Sequence, residues 1–572
     1  MSYTAPIAEM GFLADLLGQP RLAATARFAE ATAETRQAIL GEAGRLAGEL
    51  LAPLNAAGDR HPARLENGVV RCPPGYAEGY RAIAEGGWIG LVAGPEHGGM
   101  ALPQSFAVMV NEMLAGACLS LSLCPLMSQG QIEALEAHAS DELKARFLPP
   151  LIEGRWTGTM NLSEPQAGSD VGALTTRAEP NPDGSHAITG QKVWISWGDH
   201  DVAENIVHLV LARLPDAPAG TKGISLFAVP KFLPTPEGAP GRRNAVQTVS
   251  LEEKLGLHGS PTCVLAYEGA TGWMVGGPNR GLAAMFTMMN NARLGVGVEG
   301  LAVAEAATQR AVAYALERRQ GTTPDGSAAI AGHADVRRML FTMRGLTAAA
   351  RAICYDCALS IDLAKAAETE AERAAHAARA AALTPIAKAF GTDTGIEVAG
   401  LGIQVHGGVG YVEETGAAQL LRDVRVTAIY EGTNGIQAMD LVGRKLSLDG
   451  GAAVGALIGE AEATAAALAA AGEAALGAAL ADAAAAAREA TAWMLAAGAI
   501  NDRFAGATPY LKMMALLLGG HHLARAALAE PGRRPLAAFF LMQLLPRARA
   551  EAAAAVQGAG PLYALPAEAL GA

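Results

Sequence analysis

Between about residue 20 and residue 155, apolar positions recur at spacings of three and four, the period of amphipathic helices. Ser105-Phe106-Ala107-Val108-Met109-Val110-Asn111-Glu112-Met113-Leu114 is representative. From Thr157 the texture changes. Ala187-Ile188-Thr189, Lys192-Val193-Trp194-Ile195-Ser196, Ile206-Val207-His208-Leu209-Val210-Leu211 and Gly223-Ile224-Ser225-Leu226-Phe227-Ala228-Val229 are rich in strand formers. Turn residues such as Asn181-Pro182-Asp183-Gly184 divide them, so a β-domain ending near Trp273 is predicted. Helical periodicity returns at about Gly281 and runs to Leu446, broken by glycine-containing stretches at 320–332 and 407–410. Ser447-Leu448-Asp449-Gly450-Gly451 reads as a linker. Beyond it the chain is alanine-rich, and alanine has the best helix propensity. Trp493-Met494-Leu495 and Tyr510-Leu511-Lys512-Met513-Met514-Ala515-Leu516 supply anchors for a packed helical core there.

The expected partition is an N-terminal helical domain (1–156), a β-domain (157–275), a C-terminal helical bundle (276–448) and an alanine-rich helical extension (449–572). The fold class is mainly α with a central β-domain. A chain of 572 residues exceeds the usual size of one core, which agrees with several domains.

Composition narrows the function. With 51% hydrophobic and 17% charged residues the chain is not a disordered one. A net charge of -12 argues against nucleic acid as principal partner. Met1-Ser2-Tyr3-Thr4-Ala5-Pro6 lacks the cationic head and apolar run of a signal peptide, and no uninterrupted apolar stretch suits a bilayer. A cytoplasmic location with no membrane attachment is the expectation. Six cysteines are too few for a disulfide scaffold, and Cys354-Tyr355-Asp356-Cys357 reads as packed thiols on a helix; no metal site is expected. Gly295-Val296-Gly297-Val298-Glu299-Gly300 matches GxGxxG, but no strand precedes it, so its small residues are read as close helix packing.

Three segments carry candidate chemistry. In Tyr430-Glu431-Gly432-Thr433-Asn434-Gly435-Ile436-Gln437 a carboxylate is followed by Gly and Thr, a poor helix interior whose backbone can turn toward a ligand. Alone, Glu431 would be an ordinary surface carboxylate. Met160-Asn161-Leu162-Ser163-Glu164-Pro165-Gln166-Ala167-Gly168-Ser169-Asp170 offers bent backbone and hydroxyls. Gly190-Gln191-Lys192-Val193-Trp194-Ile195-Ser196 completes the set. In content and order these segments resemble the acyl-CoA dehydrogenase flavoprotein family, over residues 80 to 445. The chain is most similar to the long bacterial branch that includes methylmercaptopropionyl-CoA dehydrogenase.

That resemblance implies a helical domain, a β-barrel-like domain and a four-helix bundle, with FAD between the last two and a C-terminal extension added. It places Met160, Leu162 and Ser163 along the flavin edge and Ser169 at the pyrophosphate and the pantetheine of CoA. Trp194 screens the flavin, Ser196 lies near N5, and Thr433 also belongs to the cofactor set. Arg318, Gln404, Gly407 and Gly408 match positions that reach the FAD of a neighbouring subunit, which implies a homodimer. Asn290, Arg293 and Gly432 join Ser169 on the acyl-CoA side. The family often has Phe where Gln320 precedes Gly321, and a polar residue where Gly435 stands; both departures bear on adenine contacts.

The implied reaction is α,β-dehydrogenation of an acyl-CoA to the trans-2-enoyl-CoA. Glu431 removes the α-proton while the β-hydride passes to flavin N5, and electrons leave to an electron-transfer flavoprotein. Ala292 occupies the place where some members carry the base, and it cannot take a proton. Two alternatives stand beside this reading: a related flavin oxidase using oxygen, and a non-catalytic DNA-binding relative.

Overall fold

The computed structural model describes residues 3–324 and 326–571. Two compact units are packed. One is Ile39–Ala292 with a short N-terminal piece; the other joins Pro6–Ala38 to the chain from Arg293 onward.

In the first unit, helices Gln104–Ala117 and Leu119–His138 are buried almost throughout. The sequence reading made this whole region helical, and that is corrected at one place. Arg64–Glu66 and Val69–Arg71 form an antiparallel hairpin around Asn67-Gly68, both with positive φ. Asn-Gly favours this two-residue turn because both residues tolerate left-handed backbone.

The β-domain follows. A seven-stranded sheet runs in the order Trp156–Asn161, Asn205–Ala212, Ser225–Pro230, Thr262–Val275, His186–Ser196, Arg177–Pro180, with Val246–Leu251 also paired to Thr262–Val275. The ladder between Trp156–Asn161 and Asn205–Ala212 is parallel, and the other described ladders of this sheet are antiparallel. Two backbone bonds, Ala178 N to Arg213 O and Arg213 N to Thr176 O, tie the far edge back beside Asn205–Ala212 and give the sheet a barrel-like form. Ile188, Val210, Phe227, Val229, Leu265 and Tyr267 fill its core.

In the second unit, helix Gly281–Glu317 (from Arg293 on) packs against Glu370–His406 through glycine. A Cβ on Gly297 would lie 2.5 Å from Ala387 O, and one on Gly391 2.2 Å from Gly297 O. Gly300 and Gly395 abut in the same way. The GxGxxG segment is therefore a helix-packing seam. The pairings advance together along both helices, and Tyr314 stacks on His406 at 4.5 Å, so the two run parallel. Helix Glu370–His406 starts in a capping box formed by Thr369 and Glu372. Cys354 and Cys357 are buried in helix Ala334–Ala366, with Cys357 Sγ 3.5 Å from the Thr384 hydroxyl.

The extension belongs to this unit. Helix Ala507–Ala529 lies on Ala334–Ala366, where a Cβ on Gly519 would meet Ala349 at 2.7 Å. Residues 447–451 are not a slack linker: Asp449 accepts the amides of Gly451 and Ala453, turning Leu446–Leu448 directly into Ala452–Ala470. Among the described residues, Ala452–Ala470 is long and apolar enough to cross a membrane by length and composition only, although Glu460 and Glu462 interrupt its apolar run. Its Val454, Leu457, Ile458, Ala461 and Leu468 are buried in the unit. The extension also holds the start of the chain. Arg525 donates to Leu16 O, and Arg533 bonds Glu9 while covering the Phe12 ring at 3.5 Å.

Candidate active site

Glu431 is presented by a tight reversal. The turn Arg425–Ala428 ends with Tyr430 N bonded to Val426 O, and Glu431 and Gly432 then take φ of 55° and 83°. Left-handed backbone is easy for glycine but costs glutamate about 1–2 kcal/mol. Thr433 closes the turn by accepting the Ile436 amide, capping helix Asn434–Asp440. Gln437 Nε2 donates to the carbonyls of Glu431 and Gly432 at 3.4 and 3.2 Å. The turn is over-determined, as strained backbone at a working site must be.

Charged side chains surround it. Lys388, fully buried on helix Glu370–His406, donates to Asn434 Oδ1 at 3.0 Å. Asn434 donates in turn to Asp393 at 2.8 Å. Arg293 pairs with Asp440 at 3.3 Å, and its buried Nε has no protein acceptor among the described residues. Glu299, also buried, accepts the Tyr430 hydroxyl. Desolvation lifts Glu431 to about 7 against the pull of Lys388 and Arg293. It lifts Glu299 to about 8 and depresses Lys388 to about 8. A half-buried carboxylate titrating near neutrality, beside a spare guanidinium donor, is equipped to take a proton.

The β-domain assembles the other candidates around Glu164. Its carboxylate accepts from Thr175 and Thr176 through both amides and hydroxyls, from Gln166 and from Lys192. Burial raises it, but the Lys192 ammonium and these donors win and hold it at about 2. Lys192 also bonds Leu162 O, and Val193 N bonds Ser163 O, so Leu162 and Ser163 are pinned beside strand His186–Ser196. Arg213 fixes the neighbouring loops by donating to Leu174 O, Gly172 O, Pro218 O and Gly220 O. Opposite Val264 the strand bulges by one residue, since Ile195 faces Cys263 while Lys192 faces Leu265. Within this bulge Trp194 has φ 63° and is 62% exposed. The indole is thrust outward from a strained strand and is not a core residue. Met160 is buried, Ser196 half-buried and Ser169 exposed.

Within unit two, Arg293, Glu431 and Gly432 come together; a Cβ on Gly432 would lie 3.9 Å from the Arg293 guanidinium. Thr433, Asn290, Arg318, Gln404, Gly407 and Gly408 are exposed. Arg318 and Gln404–Gly408 sit at the far end of the two parallel helices. Lys388 and His406 are separated by eighteen residues on helix Glu370–His406, about 27 Å at 1.5 Å per residue. One chain does not bring these residues to its own Glu431. The sequence reading passed over Glu299, Lys388, Tyr430 and Asp440. The signal was a lone charge in a small, apolar helix, as in Leu294-Gly295-Val296-Gly297-Val298-Glu299-Gly300-Leu301 and Ile386-Ala387-Lys388-Ala389-Phe390.

The chain thus joins a helical domain, a barrel-like β-domain bearing an exposed indole and a long-helix bundle followed by a strained glutamate. The chain belongs to the acyl-CoA dehydrogenase family. Its N-terminal, middle and C-terminal domain models match residues 33–155, 159–270 and 279–446, and the model described as acetyl-CoA dehydrogenase C-terminal like matches 457–566. The 3-methylmercaptopropionyl-CoA dehydrogenase of Ruegeria pomeroyi is 45% identical over 92% of this chain and 91% of its own. Butyryl-CoA dehydrogenase of Megasphaera elsdenii has a TM-score of 0.60 at 25% identity, covering 72% of this chain and 98% of its own. The structure of Caenorhabditis elegans ACDH-11 in complex with C11-CoA shares the fold, with a TM-score of 0.79 at 20% identity over 95% of this chain and 91% of its own.

Proposed function

We propose that the chain catalyses FAD-dependent α,β-dehydrogenation of a saturated acyl-CoA, with Glu431 as the base. The observation that carries this reading is Glu431 itself, a carboxylate on left-handed backbone lifted by desolvation to about 7. A saturated thioester is a weak acid at its α-carbon, so the acceptor must be close, desolvated and unprotonated near neutral pH. The Glu431 carboxylate would take the α-proton, and Arg293 would steady the acyl-CoA with the donor it does not use on Asp440. FAD, when bound, supplies the acceptor for the β-hydride.

The side chains fit such a cofactor. The outward Trp194, the half-buried Ser196 and the pinned Leu162–Ser163 backbone would offer a face to a planar ring, with the buried Met160 at its edge by resemblance to the family and the exposed Ser169 available to a phosphate. The outlying Arg318, Gln404, Gly407 and Gly408 favour a homodimer in which each chain completes its partner's site. Electrons would pass to an electron-transfer flavoprotein, as the family assignment suggests. Among acyl groups, a short thioether or straight chain is favoured by likeness to the Ruegeria enzyme.

The test is anaerobic mixing of yellow holoenzyme with butanoyl-CoA and 3-methylthiopropanoyl-CoA. Bleaching is expected in the wild type. Glu431→Gln should keep FAD and bind acyl-CoA but bleach about 10³-fold more slowly. Bleaching of that variant at a wild-type rate removes Glu431 as the base.

A further inference from the structure

We propose that Glu299 is a positioning residue for the reaction, clamping the Glu431 turn through the Tyr430 hydroxyl. The inference rests on Glu431 being the base.

Three observations carry it. Glu299 is 2% exposed in the seam between helices Gly281–Glu317 and Glu370–His406, where glycine packing leaves it little freedom. Its Oε2 accepts the Tyr430 hydroxyl, and Tyr430 immediately precedes the residue that bears the strain. Its Oε1 is buried with no partner among the described residues. An ionised carboxylate with one bare oxygen in a protein interior is costly, so the geometry favours the neutral acid. A neutral acid can hold Tyr430 without placing a second negative charge beside Glu431.

The groups facing Glu299 are few. Tyr430 and Glu431 face it from the turn and Lys388 from helix Glu370–His406. Arg293 faces Glu431 from Glu299's own helix, and Asp393 faces Lys388. Desolvation and the Glu431 charge lift Glu299 to about 8, while Tyr430 and Lys388 oppose them. Its ionisation follows that of Glu431 at about 7. Between about pH 7 and 8 the pair is therefore mainly one carboxylate and one carboxylic acid, a division in which each has its own task.

The variants Glu299→Gln, Glu299→Leu and Tyr430→Phe, each as FAD-loaded holoenzyme, should be mixed anaerobically with butanoyl-CoA or 3-methylthiopropanoyl-CoA, whichever bleaches the wild type faster. Glutamine keeps a neutral acceptor for Tyr430, so its rate at pH 7 should stay within about threefold. Glu299→Leu and Tyr430→Phe free the turn and should slow bleaching by about 10- to 100-fold, the usual cost of a misplaced catalytic group. The wild-type pH profile should carry a second inflection near pH 8 that Glu299→Gln lacks, which loss of packing would not produce. A wild-type rate in Glu299→Leu, or an inflection retained in Glu299→Gln, overturns the proposal. If Glu431→Gln is slowed about 10³-fold while Glu299→Leu and Tyr430→Phe bleach at the wild-type rate, only this inference fails. If Glu431→Gln itself bleaches normally, the base assignment fails first.

Discussion

Helix Glu370–His406 carries cations of two buried charge clusters, and the two are built differently. Arg379 is saturated. It donates to both oxygens of Asp356 at 3.1 and 2.7 Å and to both oxygens of Glu460 at 2.5 and 3.0 Å. Burial works against the Asp356 carboxylate, but His522 and Arg379 outweigh it and hold Asp356 below the usual carboxylate range. Nine residues on, Lys388 has three carboxyl groups in electrostatic reach, those of Glu431, Glu299 and Asp393, but among the described residues its hydrogen bond goes to an amide, Asn434. There Glu299 and Glu431 are pushed up and Lys388 down. The first cluster spends its ions on joining the extension to the bundle. The second leaves them short of partners, and buried groups left short of partners titrate near neutrality. If Glu431 is the base, as proposed, the difference separates an ion cluster that holds a fold from one that serves the reaction.

The largest expected effect breaks the saturated side. Asp356→Ala removes a buried carboxylate and leaves the half-buried Arg379 with the partly exposed Glu460 alone, which should cost about 3 kcal/mol, read as a lower midpoint in denaturant. Bleaching per folded, FAD-loaded molecule should stay at the wild-type rate; a selective loss of bleaching would mean that the two clusters are coupled.

Next comes the seam that sets the second cluster's geometry. Gly391→Ala forces a Cβ to within 2.2 Å of Gly297 O, so the helices must part, at about 1–3 kcal/mol. Because Glu299 and Lys388 ride on these helices, bleaching should slow along with the fall in melting temperature. Unchanged melting would contradict the close approach.

Lys388→Met probes the second cluster's sign. The ammonium favours ionised Glu431, so its removal should raise the Glu431 pKa. Since the base acts unprotonated, the pH of half-maximal bleaching should rise by about one unit, or about 1.4 kcal/mol. A shift to lower pH would refute the arrangement. Smallest in stability is Trp194→Ala. A side chain 62% exposed should change folding by about 0.5 kcal/mol or less, yet FAD should wash out more readily on a desalting column. Full retention of FAD would remove Trp194 from the cofactor face.

Much of this architecture is legible in the chain. The switch from a three-and-four period to strand-rich runs at Thr157, and back at Gly281, follows helices and sheet, because each periodicity reflects a buried face. The small residues of Gly295–Gly300 announce close helix packing without a strand before them. Asn67-Gly68 carries a hairpin signal that the surrounding helical pattern obscured. Other features need the third dimension. Nothing local in Glu9 or Phe12 says that Arg533 will cover them from the far end of the chain. Glu431 stands out by its neighbours, whereas Glu299 and Lys388 are single charges in apolar helices, and only the packing of those helices makes them one cluster.

The central claim is that Glu431 is a desolvated base, and its most direct test is the pH dependence of anaerobic single-turnover bleaching. The measured quantity is the bleaching rate constant divided by the acyl-CoA dissociation constant, which reports the free holoenzyme. The account predicts a rate that rises with pH through a midpoint near 7, the value to which burial lifts Glu431, and Glu431→Gln should abolish that limb. A rate already at its plateau by pH 5, as an ordinary solvated glutamate would give, contradicts it.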